Sequence, residues 1–181
     1  MTSLQLTFNF KKHIWSAPSD YKDLSDAKEI AIDLETRDEG INSGQGAGWA
    51  TNKGEIIGFA VATEGWEGYY PFGHFGGGNL IKEQVLQYMP VKGKIVDTMI
   101  AGALIDENRY TYRLNALAKD YLGELKAETD LKEAAKAHGV DPKGEMWKLP
   151  AEHVGYYAEQ DARLTYLLWQ RFKTEIFNQN L

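Results

Sequence analysis

At about residue 79 the spacing of apolar side chains changes period, and that change limits the folds open to this chain. Before it lie three short runs rich in branched and aromatic residues: EIAID from Glu29 to Asp33, EIIGFAVAT from Glu55 to Thr63, and the run from Gly68 to Phe72. Such runs read as strands. The turn from Glu64 to Glu67 is too short for anything but an antiparallel return, so the opening is a meander, with its first strand central if it is apolar on both faces. After Asn79 the spacing becomes helical. Asn79 is placed to cap a helix through Met89, which Pro90 stops. A short strand, KIVD, ends at Asp97. Helices are predicted over 98–105, 114–122 and 131–138, the last closed by Gly139. A long helix begins near Ala151 and runs to about Phe177, with Val154, Tyr157, Ala158, Asp161, Leu164, Leu168 and Phe172 at three-to-four spacing. Strands first and helices second give an α/β domain with helices packed on a mixed sheet.

With 181 residues, 43% of them apolar, the chain is read as a single domain spanning 1–181, its polar lead-in covering 1–28. Cysteine is absent, which removes disulfides, thiolate metal sites and cysteine nucleophiles together. Any bound metal must then be held by oxygen or imidazole, a donor set that favours hard divalent cations. No apolar stretch reaches the ~20 residues that cross a bilayer, and the start MTSLQLTFNFKKH lacks the apolar centre and cleavage site of a secretory signal. The expectation is a cytoplasmic protein without a membrane partner. A net charge of -6 argues against a broad basic face for nucleic acid, but not against an enzyme that grips a few nucleotides through metal ions.

Two groups of residues carry candidate chemistry. Asp33 and Glu35 are two apart in IAIDLETRD, and strand geometry puts both carboxylates on one face. They repel unless a cation lies between them, so a divalent metal is one reading and an acidic strand end running into a charged loop is the other. Tyr157 and Asp161 are four apart in YYAEQDARLTYLLWQ and share one helix face, with the small Ala158 and Ala162 beside them leaving room for a ligand or a strand. Alone, that pair also fits a core aromatic next to a solvated acid.

Taken together, DxE on a first strand and YxxxD on a late helix resemble the DEDDy 3′-to-5′ exonucleases of the RNase H-like superfamily. The resemblance is closest to the proofreading domain of bacterial and phage family A DNA polymerases. KEIAIDLETRD, YYPFGHFGGGN, IVDTMIAGALIDENRYTYRLNALAKDYLG and EMWKLPAEHVGYYAEQDARLTYLLWQ all read like phage members, which covers the chain from about Trp15 to Phe172. The resemblance implies hydrolysis of the terminal phosphodiester of single-stranded DNA by two Mg²⁺ or Mn²⁺ ions held ~4 Å apart. It also implies residue roles: Asp33 bridges the ions, Glu35 and Asp161 hold the water-activating one, the Tyr157 hydroxyl orients the attacking water, and the Thr36 backbone lies near the 3′-terminal nucleotide. A polymerase module is the implied partner.

The chain departs from that family in its middle. The second motif, a strand ending in His-Asn followed by a helix carrying the fourth metal-binding aspartate, has no counterpart, since only PVKGK separates Met89 from Ile95. Roughly thirty residues are absent by comparison with such a strand-helix unit, and the second ion site is accordingly weak. Asp97 would take part only if KIVDT slid into the vacant strand position. Three functions remain open: an Mg²⁺-dependent exonuclease, a degenerate exonuclease fold that binds a DNA end or a polymerase, and a structural domain whose acids are relics.

Other candidates read as structure. His74 is expected to be a loop histidine with satisfied hydrogen bonds, and Gly76 to Gly78 a tight turn rather than a phosphate loop. Trp147, Tyr156 and Trp169 are expected in the core, His138 and His153 at helix ends. Lys92, Lys94, Arg109, Arg113 and Lys119 are candidates for one side of a strand-binding groove.

Overall fold

A computed structural model describes residues 15–45, 48–126 and 128–180. The meander is present: β1 (Ala31–Arg37), β2 (Glu55–Thr63) and β3 (Trp66–Pro71) pair antiparallel in the order β1-β2-β3. Between β1 and β2 lie a single turn of helix, α1 (Glu39–Asn42), and a 3-10 turn at Gly48–Thr51. The helical half consists of α2 (Lys82–Tyr88), α3 (Thr98–Ile105), α4 (Leu114–Leu122), α5 (Thr129–His138) and α6 (Gly155–Gln179). Gly123 and Gly139 end α4 and α5 at φ of 71° and 66°, the left-handed backbone that glycine adopts without strain. No described helix is long and apolar enough to cross a membrane.

Three local expectations are corrected. β1 continues to Arg37 rather than ending at Asp33, so both acids stand inside the strand. It is also an edge strand among the described residues, because KIVD does not pair. Residues 91–97 are irregular and exposed, with Ile95 at 90%. Nor does Asn79 cap α2, whose start at Ile81 has no side-chain cap. Its amide instead brackets His74, accepting from the backbone N–H at 2.8 Å and donating to the carbonyl at 2.7 Å. That pair of hydrogen bonds closes the turn before the helix, in which Gly77 and Gly78 take φ of 92° and 76°.

The sheet separates two clusters, one on each face. Phe59, Val61, Tyr70 and Phe72 pack on one face with Val85 of α2, under Tyr21 and Tyr88. On the other face Ala60, Ala62 and Tyr69 meet Ala158 and Ala162 of α6, together with Leu149 and Val154. Alanine against alanine lets the helix axis come close to the sheet, which is how α6 carries its polar side chains down to β1. A third cluster, Ala101, Leu117, Leu168 and Phe172, fastens α3 and α4 to the C-terminal half of α6.

Candidate functional site

Along β1, Ala31, Asp33 and Glu35 lie opposite Ala62, Ala60 and Gly58 of β2, and all face α6. The same alternation turns Ile32 to the aromatic cluster and leaves Leu34 exposed. From α6, Asp161 points back at the strand, one helical turn from Tyr157. Glu35 and Asp161 are 8% and 5% exposed. The site is therefore a carboxylate group under a helix, in a medium that disfavours charge.

Its electrostatics show that the two stretches converge. Burial, then the Asp161 charge, pushes Asp33 up to about 7. Burial, then the charges of Asp33 and Asp161, pushes Glu35 up to about 8. Asp161 is raised mainly by burial, against the pull of Lys126. Burial and the same carboxylates hold the Tyr157 phenol far above its ordinary range, so it stays protonated at neutral pH. Its hydroxyl also hydrogen-bonds Asp161.

Lys126 was missed by sequence reasoning. It sits in the connection between α4 and α5, and its ammonium donates to an Asp161 oxygen and, at 2.9 Å, to the Tyr157 hydroxyl. The same nitrogen lies 4.3 Å from the Tyr157 ring centroid. Nothing local marks it, because its partners are 31 and 35 residues away. Among the described residues, no three His, Asp or Glu side chains come together tightly enough to hold a metal as they stand. The donor set nevertheless fits a hard cation, since Glu35 Oε1 and Asp161 Oδ1 are buried with no hydrogen-bond partner.

A neutral support lies beneath the acids. The Tyr69 hydroxyl and His74 Nε2 are 2.7 Å apart, and His74 Nδ1 is 3.0 Å from the Leu149 carbonyl. Because a carbonyl only accepts, Nδ1 carries the proton and Nε2 accepts from the phenol. Burial lowers His74 to about 4, so it is neutral, and the loop reading with satisfied bonds is borne out. Glu159 of α6 accepts from the Tyr69 backbone N–H at 3.1 Å, tying β3 to the helix beside the site.

Other expected residues fall in varied places. Thr36 is exposed and follows a register shift after Glu35. One residue on, Arg37, Glu39, Lys53 and Glu55 line a cleft of about 450 Å³. The Arg37 guanidinium lies 4.6 Å from the Trp147 ring and 5.1 Å from Phe75. Trp147 is buried as expected and Trp169 packs on the third cluster, but Tyr156 is exposed. Asp97 does not slide toward the acids: with no strand at KIVD it caps α3, accepting from Met99 N–H at 2.8 Å. Arg109 is paired with Asp120, and His138 packs against His153.

A family profile described as 3′-5′ exonuclease matches residues 85–176. The chain is 36% identical over 201 aligned positions to a DNA-directed DNA polymerase of Pseudomonas phage M6, covering 92% of this chain and 30% of that protein. It is 37% identical over 89 residues to the DNA polymerase DpoZ of Salmonella phage PMBT28, covering 46% and 14%. The chain thus spans less than a third of each of these relatives. In the M6 alignment, 92% of 181 residues is about 167, so about 34 aligned positions have no counterpart here and about 14 residues of this chain fall outside. Asp33, Glu35 and Asp161 all lie too far from either end to be among those 14.

Proposed function

This chain belongs to the 3′-5′ exonuclease domain family of family A DNA polymerases, and on that premise we propose that 1–181 forms one domain that removes nucleotides from single-stranded DNA 3′ ends at the Asp33–Glu35–Asp161 site. The observation that carries this reading is the convergence of three acids, each raised first by burial, with two buried carboxylate oxygens among them left unpartnered. Such a cluster is costly until a cation neutralises it.

Asp33, Glu35 and Asp161 would hold Mg²⁺ or Mn²⁺. When bound, the metal lowers the pKa of a water and neutralises charge developing on the phosphate. The protein's own part is to position. β1 and α6 hold the acids on facing surfaces, Tyr157 keeps its proton and so orients a water as a hydrogen-bonding partner rather than a base, and the backbone at Thr36 borders the approach of the terminal nucleotide. A polymerase module, either on the same polypeptide or as a separate partner, fits the names of the relatives.

A second reading, a fold that binds a DNA end or a polymerase without cutting, is favoured by two features. Among the described residues no group of three acids closes on a metal, and Lys126 holds Asp161. Titrating Mg²⁺ and Mn²⁺ against a 3′-labelled single-stranded oligonucleotide separates the two. Cleavage that Asp33→Ala abolishes supports the exonuclease, whereas retention of the oligonucleotide uncut at every metal concentration leaves the binding module.

A further inference from the structure

Lys126 is held in place as part of the fold. On one side of it, Glu124 receives two bonds from the Arg163 guanidinium of α6, at 2.6 and 3.2 Å. On the other, Glu128 is held by Asn115 at 3.0 Å and by Lys132 at 2.6 Å. The short connection is thus fastened to α6 and to both helices that it joins, and between these anchors Lys126 reaches the end of the site. Lys126 and Asp161 are 8% and 7% exposed in their side chains.

The ammonium occupies what a divalent ion and its water would need. It takes one oxygen of Asp161, while the other oxygen stays unpartnered. It also occupies the Tyr157 hydroxyl, the group proposed above to orient the water. A positive charge at that point makes the buried acids tolerable without metal, and the same charge repels a metal ion arriving there.

We propose that Lys126 is an internal counter-ion that fills the Asp161–Tyr157 end of the site in the metal-free protein and must withdraw when a divalent metal binds. The inference rests on reading the acids as a metal site. It makes Lys126 a positioning residue whose ammonium competes with the metal for Asp161.

The test is Mn²⁺ binding to the full chain, followed by the paramagnetic signal of the free ion, for the native protein and for Lys126→Met, Glu124→Gln and Asp33→Ala. Lys126→Met should bind Mn²⁺ about tenfold or more tightly than the native chain, and should melt lower than it in chelator but not in saturating Mn²⁺. Glu124→Gln, which loosens the anchor without removing the ammonium, should tighten binding by a smaller factor. If Lys126→Met does not fold, the native chain supplies a second readout. Acetic anhydride should acetylate Lys126 slowly in chelator and several-fold faster with Mn²⁺, as read by peptide mass spectrometry. Unchanged or weaker Mn²⁺ affinity in the folded Lys126→Met and Glu124→Gln variants, or metal-independent acetylation, overturns the proposal. If the native chain binds Mn²⁺ in a manner abolished by Asp33→Ala while the Lys126 variant shows no gain, only the role of Lys126 falls. If neither chain binds Mn²⁺, the metal-site reading falls with it.

Discussion

Glu35 of β1 stands opposite Gly58 of β2, and the glycine's bare Cα is what lets the Tyr69 phenol cross the sheet face beside that acid. A Cβ on Gly58 would land inside the Tyr69 side chain, 2.6 Å from its Cζ. The hydroxyl could then no longer meet His74 as it does now. Gly58→Ala is expected to lose about 1–3 kcal/mol, as overpacked cores do, and to weaken Mn²⁺ binding by displacing what lies under Glu35. A urea melt checks the first effect. A loss below about 0.5 kcal/mol would mean that the ring moves aside freely and supports nothing.

The raised acids fix a pH dependence. In the folded, metal-free chain Asp33 sits at about 7 and Glu35 at about 8, against 3.8 and 4.5 in the unfolded chain. The folded state therefore binds more protons between these limits, and stability must fall as pH rises from about 4 to about 8. With two acids differing by nearly one proton each, the decline should reach about 2.5 kcal/mol per pH unit near its steepest point. Divalent metal holds both groups ionised, so the stabilisation by Mn²⁺ should grow over the same range. Thermal melts at pH 5, 6, 7 and 8 measure it, with Asp33→Asn flattening the metal-free slope. A metal effect independent of pH contradicts the arrangement.

Glu29 titrates in the opposite direction. Just before β1 it accepts from Lys173 at 2.6 Å, Gln170 at 2.9 Å and Trp169 at 3.0 Å, all on α6, and these bonds, Lys173 first, hold it down at about 2 against an ordinary 4.5. Stability from this clamp is present above about 4.5 and lost as pH falls toward about 2. The side chain is 34% exposed, so solvent screening keeps the contribution near the surface-pair level of about 1 kcal/mol or less. Glu29→Gln should be less stable than the native chain at pH 6 and equal to it near pH 2. A constant difference between the two would point to packing alone.

Tyr157→Phe separates positioning from ligation. The phenol remains protonated over the whole working range, so its loss should lower cleavage by about 10–100-fold without moving the pH profile. Oligonucleotide turnover measured alongside Mn²⁺ affinity decides the point: a matching loss of metal binding would make the hydroxyl a ligand instead.

Much was legible without coordinates because it depends on local period. The run 55–63 and the helices over 98–105 and 114–122 formed as read, since each is an apolar stretch bounded by glycine or charge at its ends. Likewise the strand's two-residue period put Asp33 and Glu35 on one side, and the four-residue helical step did the same for Tyr157 and Asp161. The failures were tertiary. KIVD has a strand's composition, but a strand exists only if a neighbour pairs with it, and here Ile95 and Val96 lie exposed while Asp97 starts a helix. Asn79 has a capping side chain, yet the turn at His74 takes both ends of its amide.

By itself, then, the sequence determined which residues share a face, because backbone periodicity is a property of neighbours along the chain. Only the tertiary structure decided which faces meet. Alanines on β2 and α6 set how closely helix and sheet approach, and that approach raises the acids by burying them together. The anchors at Glu124 and Glu128 bring an unremarkable lysine to Asp161 from 35 residues away. Coulombic interaction depends on separation in space, and no local repeat encodes that distance.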